Sequence, residues 1–316
     1  MKKLTTMIAA VLLLAACGQT YEETKRISRQ QRREAQRRDS AALKVAVMPT
    51  LDCLPLFVAQ ELALLDTVHG GVRLKMYHAQ MDCDTAVERG RVEGVVTDLV
   101  RAGRMERHGV KLRYVAATNA GWQLVANRNA RLRQTKQLVD KMVAMTRHSA
   151  TDLLTDLVRD SAGVKPERVF KVQINDLGVR MQMLQNNEMD ALWMPEPLAT
   201  EARVMKHGVL ADTRTLDVRL GVMAFRDKEM ARRERQQQLQ LLVKAYDRAC
   251  DTINKYGVAH FRKILTERYK MKPALVDSLP GDTRYEHCTQ PRQQDVERAR
   301  QWLDQLDRKG GTNGNQ

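Results

Sequence analysis

Short apolar runs alternate along this chain with stretches that are apolar on one helical face only. Residues 44–48 form a run of strand length. Thr50-Leu51-Asp52 then turns the chain, and Leu54, Phe57, Val58, Leu62 and Leu65 recur as one face of a helix capped near Asp52. The unit repeats: 72–77 predicts a second strand, Asp82 and Asp84 open a helix through Val87, and 92–97 predicts a third strand ending at Asp98. Segments 112–117 and 122–127 predict two further strands. Such alternation predicts an α/β fold with a mostly parallel, doubly wound sheet.

A second set follows. Residues 141–146 predict a strand, and Ser149 with Asp152 three positions on predicts a capping box for a helix through Val158. Residues 169–174 predict another strand. Asn175 and Asp176 then cap a short helix whose apolar positions are Val179, Met183 and Leu184. Residues 190–194 have the length of a buried strand, stopped by Pro195 and Pro197, and are expected to complete a smaller sheet. Residues 220–225 are expected to return to the first body. Beyond Asp227 the pattern is helical, with a break at Pro273, a last amphipathic helix over 291–306 and a disordered tail over 309–316. In an open α/β sheet ligands bind beyond the carboxyl ends of the strands, which puts Trp193 and Glu196 at the rim of a cleft. The alternative is that Pro195-Glu196-Pro197 is only a rigid turn and Trp193 only core.

The N-terminus departs from this pattern. Lys2 and Lys3, the apolar run 7–16 and Leu14-Ala15-Ala16-Cys17 read as a lipoprotein signal peptide over 1–16, with Cys17 the lipidated residue. The run is about half of the roughly 20 residues that cross a bilayer, so the mature chain is expected to be anchored to a membrane and not to span it. Residues 17–40 are polar and rich in Gln and Arg, and are expected to form a flexible basic tether, disordered or a solvated helix.

Net charge is +15, of which about +10 belongs to the folded body. An exported chain does not meet the genome, and the basic residues lack the aromatic interleaving of single-strand binders, so no nucleic acid is expected. A basic surface facing anionic lipid or an acidic partner fits better.

The chain has five cysteines, and four remain once Cys17 is lipidated. An even number in an oxidising compartment predicts disulfides, with three pairings possible. Cys53 follows the first strand and Cys83 the second, so Cys53–Cys83 is favoured if those strands are neighbours, and Cys250–Cys288 follows by elimination. Buried free thiols are the alternative. No cysteine or histidine pair has metal-ligand spacing, so neither metal nor cofactor is expected.

VAVMPTLDCLPLFVAQELALL, the Gly90-to-Val96 unit and LQNNEMDALWMPEPLATEA together resemble the periplasmic solute-binding proteins of ABC importers, in the class for nitrate, sulfonates, taurine and thiamine-pyrimidine precursors. The resemblance covers about 44–249. In its most specific part Asp190, Ala191, Glu196 and Pro197 match, and Asn187 stands where Gly is usual, a mild departure because Asn tolerates positive φ.

The resemblance implies a type II periplasmic binding protein: two α/β lobes joined by crossover strands, with a helical C-terminal extension. Lobe 1 would span 41–125 and return over 222–308; lobe 2 would span 126–221. The first-lobe wall of the ligand site would be Thr50, Asp52, Gln80, Asp82, Thr97 and Asp98. The second-lobe wall would be Arg147, His148, Ser149, Thr151, Asn175, Asp176, Trp193 and Glu196. For Asp52, Asp176 and Ser149, helix capping competes with that role. Implied partners are a small solute, a transporter permease and membrane lipid through Cys17, with the chain acting as a monomer on the periplasmic side.

Arg147 and the helix start at Ser149 to Thr151 suit a carboxylate, sulfonate or phosphate. Asp52, Asp82, Asp98 and Glu196 suit an amine or aminopyrimidine. Four carboxylates against one arginine favour a neutral or cationic, nitrogen-bearing ligand, with Trp193 or Trp122 as an aromatic wall. Two rivals remain. An enzyme of the thiamine-pyrimidine synthase kind would share the fold, but the chain has no nucleophile elbow, paired-histidine metal motif or phosphate-cradling Gly loop. A surface lipoprotein that uses the scaffold for protein contact would have its cleft filled by side chains.

Overall fold

The computed structural model describes residues 21–66 and 70–312; the expected signal segment 1–16, Cys17 and the end of the tail lie outside them. After helix α1 (Tyr21–Ala41), the chain builds β1 (Leu43–Val47), a 3-10 turn over Leu51–Cys53 leading into α2 (Leu54–Glu61), β2 (Val72–Met76), α3 (Gln80–Glu88), β3 (Gly94–Asp98), α4 (Leu99–Arg107) and β4 (Leu112–Ala117). It then crosses to a second lobe of β5 (Trp122–Ala126), β6 (Lys141–Met145), α5 (Ala150–Ser161), β7 (Val169–Gln173), α6 (Leu177–Gln185), β8 (Ala191–Pro195), α7 (Leu198–Val204) and β9 (Gly208–Asp212). It returns as β10 (Gly221–Arg226) and finishes with α8 (Arg233–Tyr256), α9 (Arg262–Glu267) and α10 (Gln293–Thr312).

The two sheets repeat one plan, β2-β1-β3-β10-β4 and β7-β6-β8-β5-β9. In each, four strands run in one direction, and the strand delivered by a crossover, β10 or β5, lies antiparallel between two of them. The second sheet is therefore not the smaller one. Its β5 and β9 complete it, and β5 leaves the first lobe a few residues before the boundary expected at 125. The crossovers, 118–121 and 213–220, run close together: Thr118 N donates to Gly221 O at 3.0 Å. A Cβ at Gly221 would strike the Thr118 hydroxyl and the Ala120 methyl, which is why glycine stands there.

Both faces of each sheet are covered, so the central strands β3 and β8 are buried along their whole length, while the edge strands β2 and β7 carry Arg73, Lys75 and Lys171. In β1, Val45 and Val47 enter a core with α2 and α8, whereas Ala46 and the following Met48 face a second cluster with α3. In β8, Ala191 and Trp193 face one cluster and Leu192 and Met194 the other. The Trp193 cluster also takes in Leu99 and Val100 of α4 and Ala299 and Leu303 of α10, so α4, α5 and α10 share one core across the two lobes. Trp302 of α10 donates to Asp156 of α5 at 2.9 Å, while Asp304 and Asp307 pair with Arg107 of α4.

Several expectations change. Of the expected tether, residues 21–41 form a continuous helix, the solvated-helix alternative, and the body holds its last turn. Arg235 and Gln238, both buried, donate to the Ala41 carbonyl at 2.8 Å, and Asp39 pairs with Arg73 and Lys75. The last helix continues to Thr312, four residues into the tail expected from 309. Cys53, Cys83, Cys250 and Cys288 are free thiols. Cys53 and Cys83 belong to cores on opposite faces of the first sheet, whereas the Cys250 thiol donates to the Glu286 carbonyl. In α6 Leu184 is buried and Met183 packs against the same core as the sequence predicts, but Val179 is exposed and Arg180 and Met181 complete the buried face. At α5, Ser149 caps Thr151 N, but Asp152 reaches His148 N and not the N-cap amide, so the capping box is incomplete.

Candidate ligand-binding site between the lobes

Strand-to-helix turns of both sheets, the two crossovers and the loop 280–286 enclose a cavity of about 440 Å³. Of the first-lobe residues expected there, Thr50, Asp52, Gln80, Thr97 and Asp98 line it; from the second lobe Ser149, Thr151, Asn175 and Glu196 do. Asp82 lies outside, exposed on α3, and Arg147 and His148 are exposed beside the turn. Asp176 lies outside too, capping α6 by accepting from Val179 N, with its backbone bridged to Ala79 of the first lobe. Trp193 is fully buried, and its indole N–H donates to Thr155 at 2.9 Å. The strand's period of two turns it into the core, so it forms no ligand wall.

Most carboxylates at this site serve the protein's own frame. Asp98 Oδ1 accepts from Arg101 N at 2.9 Å, capping α4, and from Ala150 N of the second lobe at 3.0 Å. Burial outweighs these bonds and the nearby Arg101 charge, and raises Asp98 to about 6. Desolvation likewise raises Asp52, against hydrogen bonds from Thr50 and the backbone of its own turn. Glu196 accepts from Thr200 N at 2.9 Å and pairs with Arg203 at 2.8 Å, and its carbonyl accepts from Leu51 N across the cleft at 3.0 Å.

Two residues absent from the sequence-derived set dominate the electrostatics. Arg180 of α6 is 1% exposed and fully engaged: Nε donates to Ile174 O, Nη1 to Trp193 O and Nη2 to Thr146 Oγ1. Burial lowers it to about 9, and the next contribution comes from Arg101, which faces it from the first lobe. Arg101 is also 1% exposed, and its Nη2 lies against Asp84 Oδ2 without hydrogen-bond alignment. Among the described residues, Nε and Nη1 of Arg101 have no partner, nor do the buried hydroxyls of Thr97 and Thr118 beside the same cavity. Of the other lining arginines, Arg214 pairs with Asp212, Arg219 pairs with Glu286, and Arg284 donates to the Asn254 carbonyl. Both buried arginines follow an aspartate N-cap within one turn, Asp98 before Arg101 and Asp176 before Arg180. A cation in the first helical turn opposes the macrodipole, and that was the available signal.

No protein-family model and no curated protein matches this sequence. Solved structures do match in shape. The alkanesulfonate-binding protein from Xanthomonas axonopodis pv. citri, bound to MOPS, is 17% identical with a TM-score of 0.71, over 84% of this chain and 92% of that one. The periplasmic nitrate-binding protein from Synechocystis PCC 6803 is 14% identical with a TM-score of 0.65, over 79% and 74%. A Candida albicans protein described as having the generic periplasmic binding protein fold is 13% identical with a TM-score of 0.61, over 78% and 82%. The repeated five-stranded plan, the paired crossovers and these likenesses make the architecture that of the two-lobed periplasmic binding proteins.

Proposed function

We propose that this chain is a membrane-anchored solute-binding protein that captures a small molecule with an acidic group between its lobes and delivers it to an ABC transporter permease. The observation that carries the reading is Arg101, a guanidinium withdrawn from water beside an interlobe cavity with Nε and Nη1 unpartnered among the described residues. Burying a charge without partners is costly, and a carboxylate, sulfonate or phosphate would accept from those two donors in the planar geometry that arginine offers. Arg180 adds a second positive charge from the opposite lobe. An anion between them relieves their repulsion only while the lobes are closed, which couples capture to closure. Proteins of similar fold described as binding alkanesulfonate and nitrate support a small oxyanion.

The Leu14-Ala15-Ala16-Cys17 motif supports a lipid anchor on the periplasmic side of a membrane, with the body acting as a monomer. The comparison proteins described as binders favour a receptor over an enzyme. The test is a thermal-shift screen of small sulfonates, carboxylates, phosphates and neutral aminopyrimidines. One acidic compound should raise the melting temperature, as ligand linkage requires, be recovered chemically intact, and lose its effect in Arg101→Gln. Stabilisation only by neutral or cationic compounds, or turnover of the bound compound, overturns the reading.

A further inference from the structure

Helix α1 has no apolar face to bury. Most of its described side chains are exposed, Ile27 included, and the body holds its end through Asp39 and the carbonyls of Ser40 and Ala41. Its charges are nevertheless ordered. At about 100° per residue, Lys25, Arg26, Arg29, Arg32, Arg33 and Arg37 fall within an arc of about 140°. Glu23, Glu34 and Asp39 lie outside that arc, as does one cation, Arg38, and Glu22 is the one acid within it. The stripe runs along a helix about 30 Å long. The helix starts four positions after Cys17 in the sequence.

We propose that this basic stripe lies against anionic phospholipid headgroups and fixes the orientation of the binding body at the membrane surface. Charge complementarity selects the partner. A regular row of guanidinium groups without an apolar anchor suits a diffuse, laterally mobile array of phosphates better than a peptide, which needs a pocket or an apolar ridge to hold it. The position of the stripe agrees, since an acyl chain on Cys17 would bring the start of α1 to the bilayer. The capped junction at Ala41 then makes the helix a strut: headgroup contact along α1 sets how the body stands over the membrane. The orienting role rests on the anchored reading proposed above, whereas the attraction to lipid does not require the acyl chain.

The experiment separates the two. The mature chain from residue 17, carrying Cys17→Ser so that charge is the remaining attraction, is sedimented with vesicles of phosphatidylglycerol and phosphatidylethanolamine, and in parallel with phosphatidylcholine vesicles. It should bind the first and not the second, and high salt should release it. Replacing Arg26, Arg29, Arg32, Arg33 and Arg37 with Gln should weaken binding by about tenfold or more. Replacing the exposed Arg131, Arg133 and Lys136 of the second lobe with Gln should leave it unchanged. Circular dichroism and an unchanged melting temperature establish that each variant is folded. No binding to anionic vesicles at low salt, or equal loss in the second-lobe variant, overturns the proposal. Binding retained in the helix variant does so as well.

Discussion

The two walls of the cleft each bury an arginine to 1% exposure, and the two are used in opposite ways. On the second-lobe wall Arg180 makes three hydrogen bonds, to the ends of β7 and β8 and to Thr146 after β6, so it ties the strand ends of that sheet together. On the first-lobe wall Arg101 touches one carboxylate, Asp84, and keeps two donors unpartnered among the described residues. Equal burial therefore conceals different roles. On the function proposed above, what separates a structural cation from one that holds a ligand is whether the protein has already spent its hydrogen-bonding capacity.

The largest test sets these arginines against each other. Arg180→Met leaves the carbonyls of Ile174 and Trp193 and the Thr146 hydroxyl without their donor, and unfolding in urea should show a loss of about 3–5 kcal/mol. The paired change Arg101→Met with Asp84→Asn removes a poorly aligned buried ion pair as a unit, so stability should stay within about 1 kcal/mol of the parent chain. Affinity for the acidic ligand should nevertheless fall about 100-fold or more by titration calorimetry. If the first-wall variant unfolds and the second-wall variant keeps its stability, the comparison is wrong.

Asp98 belongs to both walls, since it caps α4 and accepts from the first turn of α5. Its carboxyl is raised to about 6, first by burial. A carboxyl whose folded pKa exceeds its unfolded value binds protons more readily in the native state, so its contribution to stability falls as pH rises from about 4 through 6. The loss amounts to about 3 kcal/mol, taking 1.36 kcal/mol per unit over roughly two units. Other carboxylates, such as Asp212 and Asp217, are lowered and slope the other way, so the informative quantity is the difference between the parent chain and Asp98→Asn. That difference should open between pH 4 and 6 in the direction that favours Asn at the higher pH.

How far each wall was legible in the sequence follows the same physics. Strands and turn caps are local, so the apolar runs located β1 to β8 within a few residues, and Thr97, Asp98, Ser149 and Glu196 came to the cavity as strand-end reasoning places them. Asn187, read as tolerant of positive φ, has φ 61°. What is set by distant pairing was not legible. Trp122 and its strand look like a continuation of the first lobe, yet β5 pairs with β8 and β9. The Asp212-to-Arg219 crossover and the loop 280–286 reach the cavity only through the return of the chain. Arg101 and Arg180 are two among 53 basic residues, and apart from their place in the turn after an aspartate cap nothing in a helical pattern marks them as the cations that go inside.

Trp193 supplies the smallest test. Aromatic residues at strand ends near a cleft often line it, but this indole points into the core shared by α4, α5 and α10, where Thr155 accepts its N–H. Thr155 is itself 1% exposed and donates to the Thr151 carbonyl at 2.7 Å. Valine has nearly the same shape without the hydroxyl, so Thr155→Val leaves packing intact and orphans one buried donor. The expected loss is about 1–2 kcal/mol of unfolding free energy. Because the lost bond lies behind the second-lobe wall, ligand affinity at saturating folded protein should not change. A binding loss with unaltered stability would mean instead that the indole reaches the cavity, and Trp193 would then have to be counted among the residues of the second wall that read the ligand.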